Sequence, residues 1–233
     1  LVGAAALIAD ANTTLARLVS LVEAIGQRSV YLALLVENPL ALSQLVKLCA
    51  ASDWIARYLA RHPVLLDELM DPASLYAPLE RAALADELRA RLARLPADDL
   101  EAQMEGLREF RHAQVLRVAA TDLSRGPSPE EVGRYLSAIA ETIVAEALAL
   151  AFDDLVRKHG RPTLKRDGET LYPGFAVIAY GKLGSLELGY TSDLDMIFLH
   201  SAGQEGGETE GPRVIANEQF FARLGQRLIH VLT

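Results

Sequence analysis

The spacing of apolar residues divides this chain into two parts with different periodicity. From about residue 12 to residue 160, apolar positions recur every three or four residues. The first such stretch runs through Leu15, Leu18, Val19, Val22 and Ile25. This spacing is typical of amphipathic helices that bury one face. The first part therefore predicts a compact helical domain over residues 1–160.

Prolines divide the helical part into several elements. A proline is tolerated in the first turn of a helix but not in its interior. We therefore expect helices to begin near four positions, Pro39, Pro63, Pro72 and Pro96. Two longer helices are predicted over residues 98–123 and 129–158, separated by a Ser-Arg-Gly-Pro-Ser-Pro turn. These two helices can pack as an antiparallel pair.

After Gly160 the pattern indicates strands and loops. RPTLKRDGETLYPG predicts a polar connection or a small hairpin, and FAVIAY predicts a short buried strand. GKLGSLELGYTS predicts a loop or short helix, and DLDMIFLH begins polar and continues as an apolar strand. The Gly-rich, acidic SAGQEGGETEGP predicts an exposed, mobile loop, and residues 217–232 return to helical spacing. The predicted fold class is α+β, in which residues 161–233 form the beginning of an α/β domain.

Composition and charge restrict the functional classes. The formal net charge of −8 argues against a broad nucleic-acid or anionic-membrane surface, although it is compatible with a small phosphate ligand. Cys49 is the only cysteine, which excludes an intrachain disulfide and fits a reducing, cytoplasmic setting. The opening LVGAAALIAD lacks a basic leader, and no uninterrupted apolar run reaches about twenty residues. We therefore expect no signal peptide and no membrane span. The chain starts without Met, so we expect it to be a piece of a longer protein.

The strongest chemical pattern is a pair of carboxylates, Asp193 and Asp195, at the start of a predicted strand. Residues two apart on a strand project from the same face, so both carboxylates can enter one cleft while Leu194 faces the core. Two adjacent carboxylates repel each other unless one is protonated or a cation lies between them. Mg²⁺ suits this arrangement because it prefers oxygen ligands and is shared with substrate phosphates. The sequence thus predicts a metal site at Asp193 and Asp195.

The residues upstream of this pair predict a nucleotide-phosphate site. Gly181 and Gly184 lack side chains, so backbone N–H groups near them can approach phosphate oxygens. Ser185 and Ser192 add hydroxyl donors. Lys182 is either a phosphate contact or an exposed loop lysine. Together with the metal, these residues predict in-line displacement at the α-phosphorus of a nucleotide with release of pyrophosphate.

Two further sets of residues have weaker claims to a site. Glu187 either caps or solvates a short helix or belongs to the site. The histidines have no ligand-like spacing, so they are interpreted as structural or surface residues. They are His62, His112, His159, His200 and His230.

Other phosphate-binding motifs do not match the sequence of this segment. A Walker A loop needs Gly-Lys-Ser/Thr after its four variable residues, but Lys182 is followed by Leu183. A dinucleotide fingerprint needs Gly-x-Gly-x-x-Gly, of which Gly181-x-x-Gly184 supplies too little. An aspartyl phosphatase places Asp-x-Asp after its apolar strand, whereas here the strand follows the pair.

The segment GFAVIAYGKLGSLELGYTSDLDMIFLH closely resembles the active-site segment of the glutamine synthetase adenylyltransferase family. The resemblance continues upstream through YLALLVENPLALSQLVKLCAASDWIARYLARHPVLLDELMDP and LREFRHAQVLRVAATDL, so it covers nearly the whole chain. It implies a polymerase-β-like nucleotidyltransferase fold for residues 161–233. It places Asp193 and Asp195 on the family's first two metal carboxylates, and Gly184 and Ser185 on its Gly-Gly/Ser loop. The family usually has Gly where Ser185 stands.

The resemblance also implies an activity. Enzymes of this family have two similar halves, which attach AMP to a glutamine synthetase tyrosine or remove it by phosphorolysis. The sequence around Asp193 resembles that of the adenylylating, carboxyl-terminal half. The family's third carboxylate lies on a later strand, beyond Thr233, so we expect this chain alone to be inactive. A nitrogen-signalling regulatory protein is an expected partner. The alternatives are the deadenylylating half and a non-catalytic helical module that binds proteins.

Overall fold

The computed structural model describes residues 10–26, 28–203 and 206–233. Its helices and small antiparallel sheets confirm the predicted α+β class. The interpretation of the opening segment, including the absence of a signal peptide, concerns residues 1–9 and lies outside the described residues. The same holds for residues 204–205 of the Gly-rich segment.

The helices come first along the chain, and the strands follow. The early helices are α1 (Ala11–Ile25), α2 (Ser29–Glu37), α3 (Pro39–Ala51), α4 (Asp53–Arg61), a 3-10 helix (Pro63–Met70), α5 (Pro72–Leu75) and α6 (Arg81–Leu92). The two long helices are α7 (Leu100–Arg125) and α8 (Pro129–His159). The remaining elements are β1 (Arg161–Arg166), β2 (Glu169–Leu171), β3 (Phe175–Ala179), α9 (Gly181–Gly184), β4 (Met196–His200), β5 (Glu208–Glu210) and α10 (Asn217–Leu232).

The chain forms two compact units. One comprises Leu1–Glu80 with Glu109–Tyr135, and the other comprises Arg81–Arg108 with Leu136–Thr233. Each long helix contributes residues to both units. The predicted boundary near residue 160 coincides with the change from helix to strand. As a division between domains, 1–160 and 161–233 stays a prediction.

Local sequence explains where most helices begin. Pro39, Pro63 and Pro72 each occupy the first position of a helical element, as predicted. Pro39 also separates α2 from α3, which are bent by 104° at this break. Pro96 does not begin a helix. Instead it lies in the connection before α7, whose first turn is capped by Asp99 accepting from the N–H of Ala102 at 3.0 Å.

Helix α8 begins with a reciprocal cap. The Glu131 N–H donates to Ser128 Oγ at 3.2 Å, and the Ser128 N–H donates to Glu131 Oε2 at 2.8 Å. By length and composition α8 meets the requirements for a membrane span, as does the bent pair α2 and α3 taken as one. The core helix of a folded domain meets the same requirements. The expected absence of a membrane span therefore stays a prediction.

Three strands of the second unit form an antiparallel sheet in the order β2-β1-β5. The predicted hairpin is present, and its turn is formed by Asp167 and Gly168, with φ of 54° and 81°. Positive φ at both positions suits a tight two-residue turn. The segment that begins at Ser201 was predicted as an exposed loop. That prediction is wrong in part, because the segment contains β5 and Thr209 is buried. Thr209 is held by pairing with Pro162 on β1.

Strands β3 and β4 pair in register from Phe175 with His200 to Ala179 with Met196. The prediction of a buried β3 is wrong, because exposure alternates along both strands. Phe175 stacks on Phe221 of α10, with ring centroids 5.9 Å apart, so α10 covers one face. The other face is exposed at Ile178 (40%), Ile197 (47%) and Leu199 (54%). A two-stranded sheet covered on one side produces this alternation.

Candidate active site

The connection between β3 and β4, residues 180–195, contains every residue predicted to bind nucleotide or metal. Its two ends are joined directly beyond the last strand pair, Ala179 with Met196. The Tyr180 N–H donates to the carbonyl oxygen of Asp195 at 2.8 Å. The backbone at Asp195 is therefore fixed as a continuation of the strand pairing.

Gly181 allows the Asp195 carboxylate to lie against the backbone. Gly181 has a φ of +54°, a conformation that residues with a side chain rarely adopt. A Cβ at this position would collide with Asp195 Oδ2. The contact brings together two residues that the sequence predicted for one site.

The turn after Gly181 is held by packing. A Cβ on Gly184 would lie 2.8 Å from the carbonyl oxygen of Ala179, so glycine allows α9 to approach the end of β3 closely. Leu183 is buried at 3% exposure and anchors α9 from its inner side. Lys182 is exposed on the outer side, as expected for either of its predicted roles.

The two serines have different surroundings. The Ser185 hydroxyl donates to Glu187 Oε2 at 2.8 Å, so Glu187 orients it. Ser192 Oγ accepts from the Gly189 N–H at 3.0 Å, which closes a tight loop before the carboxylates. That bond leaves the Ser192 hydroxyl proton for another acceptor. Glu187 and Ser185 are two residues apart, so their contact could have been suggested from the sequence. The sequence could not decide whether Glu187 caps a helix or belongs to the site.

Asp193 and Asp195 lie in a non-helical segment directly before β4. Both are exposed and Leu194 between them is half-buried, which is the alternation expected of extended backbone. Across the described ranges, neither carboxylate has an ion-pair partner. No group of three or more His, Cys, Asp or Glu among the described residues could hold a metal. These two carboxylates, of which Asp195 lies against Gly181, remain a candidate for part of a cation site.

Comparison with known proteins assigns the class. A family model described as glutamate-ammonia ligase adenylyltransferase matches residues 42–233. The chain belongs to this family. The match includes the connection 180–195 and most of the helical part.

Individual relatives carry a common name, bifunctional glutamine synthetase adenylyltransferase/adenylyl-removing enzyme. The protein from Thioalkalivibrio sulfidiphilus is 53% identical over 232 residues, which cover 100% of this chain and 24% of the relative. The Pseudomonas putida protein is 51% identical over 222 residues, covering 95% and 22%. The Methylococcus capsulatus protein is 44% identical over 226 residues, covering 97% and 24%. The chain thus spans about a quarter of the length of these relatives.

Proposed function

We propose that this chain is part of an adenylyltransferase that transfers AMP from ATP to a tyrosine hydroxyl of glutamine synthetase. The observation that carries the proposal is the Asp195 carboxylate lying against Gly181, with Asp193 two residues away. The names of relatives at 44–53% identity supply the reaction class and the protein substrate. We further propose a polymerase-β-like nucleotidyltransferase fold and a cytoplasmic setting, with a nitrogen-signalling protein as regulator.

We propose that Asp193 and Asp195 supply part of a Mg²⁺ site. Asp193 and Asp195 offer carboxylate oxygens, the ligands this ion prefers, and both are exposed. Within the described part of the chain, no basic side chain neutralises them. When bound, Mg²⁺ supplies charge neutralisation and alignment of the triphosphate.

The proposed transfer is an in-line displacement at the α-phosphorus. The tyrosine oxygen forms a bond to this phosphorus, and the bond to the oxygen that bridges to the β-phosphate breaks. Pyrophosphate leaves with the electron pair, and the hydroxyl proton is released to water. Lys182 contributes a positive charge near the phosphates, and Ser192 can donate its hydroxyl proton to a phosphate oxygen. Gly181 keeps the position beside Asp195 free of a side chain.

The direction of the reaction follows from the half of the enzyme to which the chain belongs. We assign the chain to the adenylylating half, because ELGYTSDLD resembles that half. The name that these relatives share also includes removal of adenylyl groups. In that direction a phosphate oxygen attacks the phosphorus of the tyrosine-bound AMP and ADP forms. The bond to the tyrosine oxygen breaks, and that oxygen keeps the electron pair and takes up a proton to restore the hydroxyl.

The test is adenylylation of glutamine synthetase by the full-length protein, with ATP labelled in the α-phosphate. Asp193→Asn and Asp195→Asn each remove one charge and are expected to reduce labelling by about 100-fold or more. Asp167→Asn is the matched control, because Asp167 is exposed in the β1–β2 turn and asparagine tolerates its positive φ. It should label normally.

Two results contradict the proposal. Unchanged labelling by both Asp193→Asn and Asp195→Asn would favour a non-catalytic, protein-binding module. Loss of phosphate-dependent ADP formation from adenylylated glutamine synthetase, with labelling intact, would instead assign the chain to the adenylyl-removing half. The 233-residue chain by itself is expected to label no glutamine synthetase.

A further inference from the structure

A cavity of about 360 Å³ lies in the second unit, between the last turns of α8 and residues 223–230 of α10. Three of its lining side chains carry a permanent positive charge, namely Lys158, Arg223 and Arg227. Two histidines, one leucine and one glutamine complete the lining, which contains no acidic residue among those described, although Asp154 contacts two of the lining cations. The volume is at the lower end of the range for small-molecule sites, about 300–1,000 Å³.

A buried histidine holds one of these arginines in place. His159 is 7% exposed, and its Nδ1 lies 2.7 Å from the carbonyl oxygen of Arg213. That oxygen can only accept, so Nδ1 carries the proton and donates it. His159 Nε2 is then the acceptor for Arg223 Nη1 at 3.1 Å. Arg223 is thus oriented by a neutral group, and no ion pair with another described residue neutralises it.

A single buried carboxylate forms ion pairs with the other cations near the cavity. Asp154 Oδ2 lies 2.8 Å from Lys158 Nζ and 3.2 Å from Arg227 Nη2, and Asp154 Oδ1 lies 3.7 Å from Arg157 Nη2. Asp154 is 7% exposed, so its position is fixed within the fold. One negative charge is therefore shared among three cations, and Arg223 adds a fourth. The cluster is strongly positive although the whole chain carries −8.

Helix electrostatics explains only part of this cluster. Basic residues in the last turn of a helix are favourable, which accounts for Arg157 and Lys158 at the end of α8. Arg223 and Arg227 lie inside α10 rather than at its end. They are four residues apart, so they share a face and repel each other. Asp154 offsets only one positive charge of this cluster, so the joint placement of the two arginines at the cavity points to an anionic ligand.

We propose that this cavity binds the phosphate group of a small molecule. Guanidinium groups present paired N–H donors that match phosphate oxygens, and Lys158 adds a point charge. The site is separate from the connection 180–195, so the inference does not depend on the proposed adenylyl transfer.

The test is calorimetric titration of this chain with inorganic phosphate at constant ionic strength. Arg223→Gln and Arg227→Gln are each expected to weaken binding by about tenfold, because each removes a charge-assisted hydrogen bond. Arg223→Lys should restore part of the affinity. Arg94→Gln is the charge-matched control, since Arg94 is exposed and does not line the cavity. It should change affinity by less than about twofold.

Three results would overturn the assignment. They are equal weakening by Arg94→Gln, loss of binding in Lys182→Ala with binding intact in Arg223→Gln, and tighter binding of succinate than of phosphate. Far-UV circular dichroism of each variant shows whether the helices are intact, and a variant that loses them is replaced by its lysine counterpart. Competition with AMP identifies the source of the phosphate group. Displacement by AMP indicates a nucleotide, and no displacement indicates free phosphate.

Discussion

Replacing Gly181 by alanine tests whether this glycine positions the Asp195 carboxylate. Alanine at this position has two costs. Its backbone must keep a φ of +54°, and its Cβ must occupy the space where Asp195 Oδ2 now lies. The first cost concerns the stability of the fold, and the second concerns the candidate site.

The two costs differ in kind and in size. A non-glycine residue in the left-handed region loses about 1–2 kcal/mol. The collision is with the end of a rotatable side chain, so the carboxylate turns away and little further stability is lost. A carboxylate displaced by about 1 Å is enough to reduce transfer by about 100-fold. Gly181→Ala should therefore be a moderately destabilised protein with very low activity.

Gly126→Ala is the matched control. Gly126 has a φ of +60°, and a Cβ there would meet no atom within 4 Å. Urea unfolding should show a similar loss of stability in both variants, and adenylylation by the full-length protein should fall only in Gly181→Ala. Normal adenylylation by Gly181→Ala would refute the link between this glycine and the position of Asp195.

Two further predictions concern stability. Asn217→Ala removes the donor to the buried carbonyl of Thr163, now 2.8 Å from Asn217 Nδ2, and should cost about 1–3 kcal/mol in urea unfolding. The exposed Asn12→Ala should change stability by less than about 0.5 kcal/mol, and an equal change in both would contradict the reasoning. Burial lowers the pKa of His112 from 6.5 to about 4, so the folded protein favours the neutral imidazole. The stability that this histidine contributes to the fold is therefore complete above pH 6.5 and is lost as the pH falls towards 4. His112→Gln should lose less stability than the unsubstituted protein over that range, and parallel pH profiles would contradict this.

Local sequence was sufficient to predict those elements whose structure depends only on their own residues. Residues 217–232 were predicted as a helix and form one, because Phe220, Leu224 and Leu228 recur at the spacing of a buried stripe. The β1–β2 hairpin follows from Asp167 and Gly168, which tolerate positive φ.

Non-local contacts explain the errors in the fold. β5 lies in a segment rich in Gly and Glu, and it exists because Thr209 pairs with Pro162, far earlier in the chain. Nothing in the local pattern indicates that partner. The apolar run of β3 predicted a buried strand, but α10 covers only the face that includes Phe175. A run of apolar residues does not report how many faces are covered.

The candidate site shows the same division. Asp193 and Asp195 could be proposed from their spacing and from the strand that follows them. The contact of Asp195 with Gly181 could not, because it depends on how the connection folds back on itself. The positive cavity was also missed, because its arginines lie on α10 whereas Lys158 and His159 end α8.

The backbone bond between Tyr180 and Asp195 has a consequence for redesign of this protein. The backbone that positions Asp195 is set by this hydrogen bond and by Gly181, so it does not depend on the identity of the exposed side chains nearby. Lys182 and Ser185 are exposed, so they can be exchanged without disturbing the backbone that positions Asp195. Libraries built at these two positions should yield many folded members, whereas randomising Gly181 should yield few active ones.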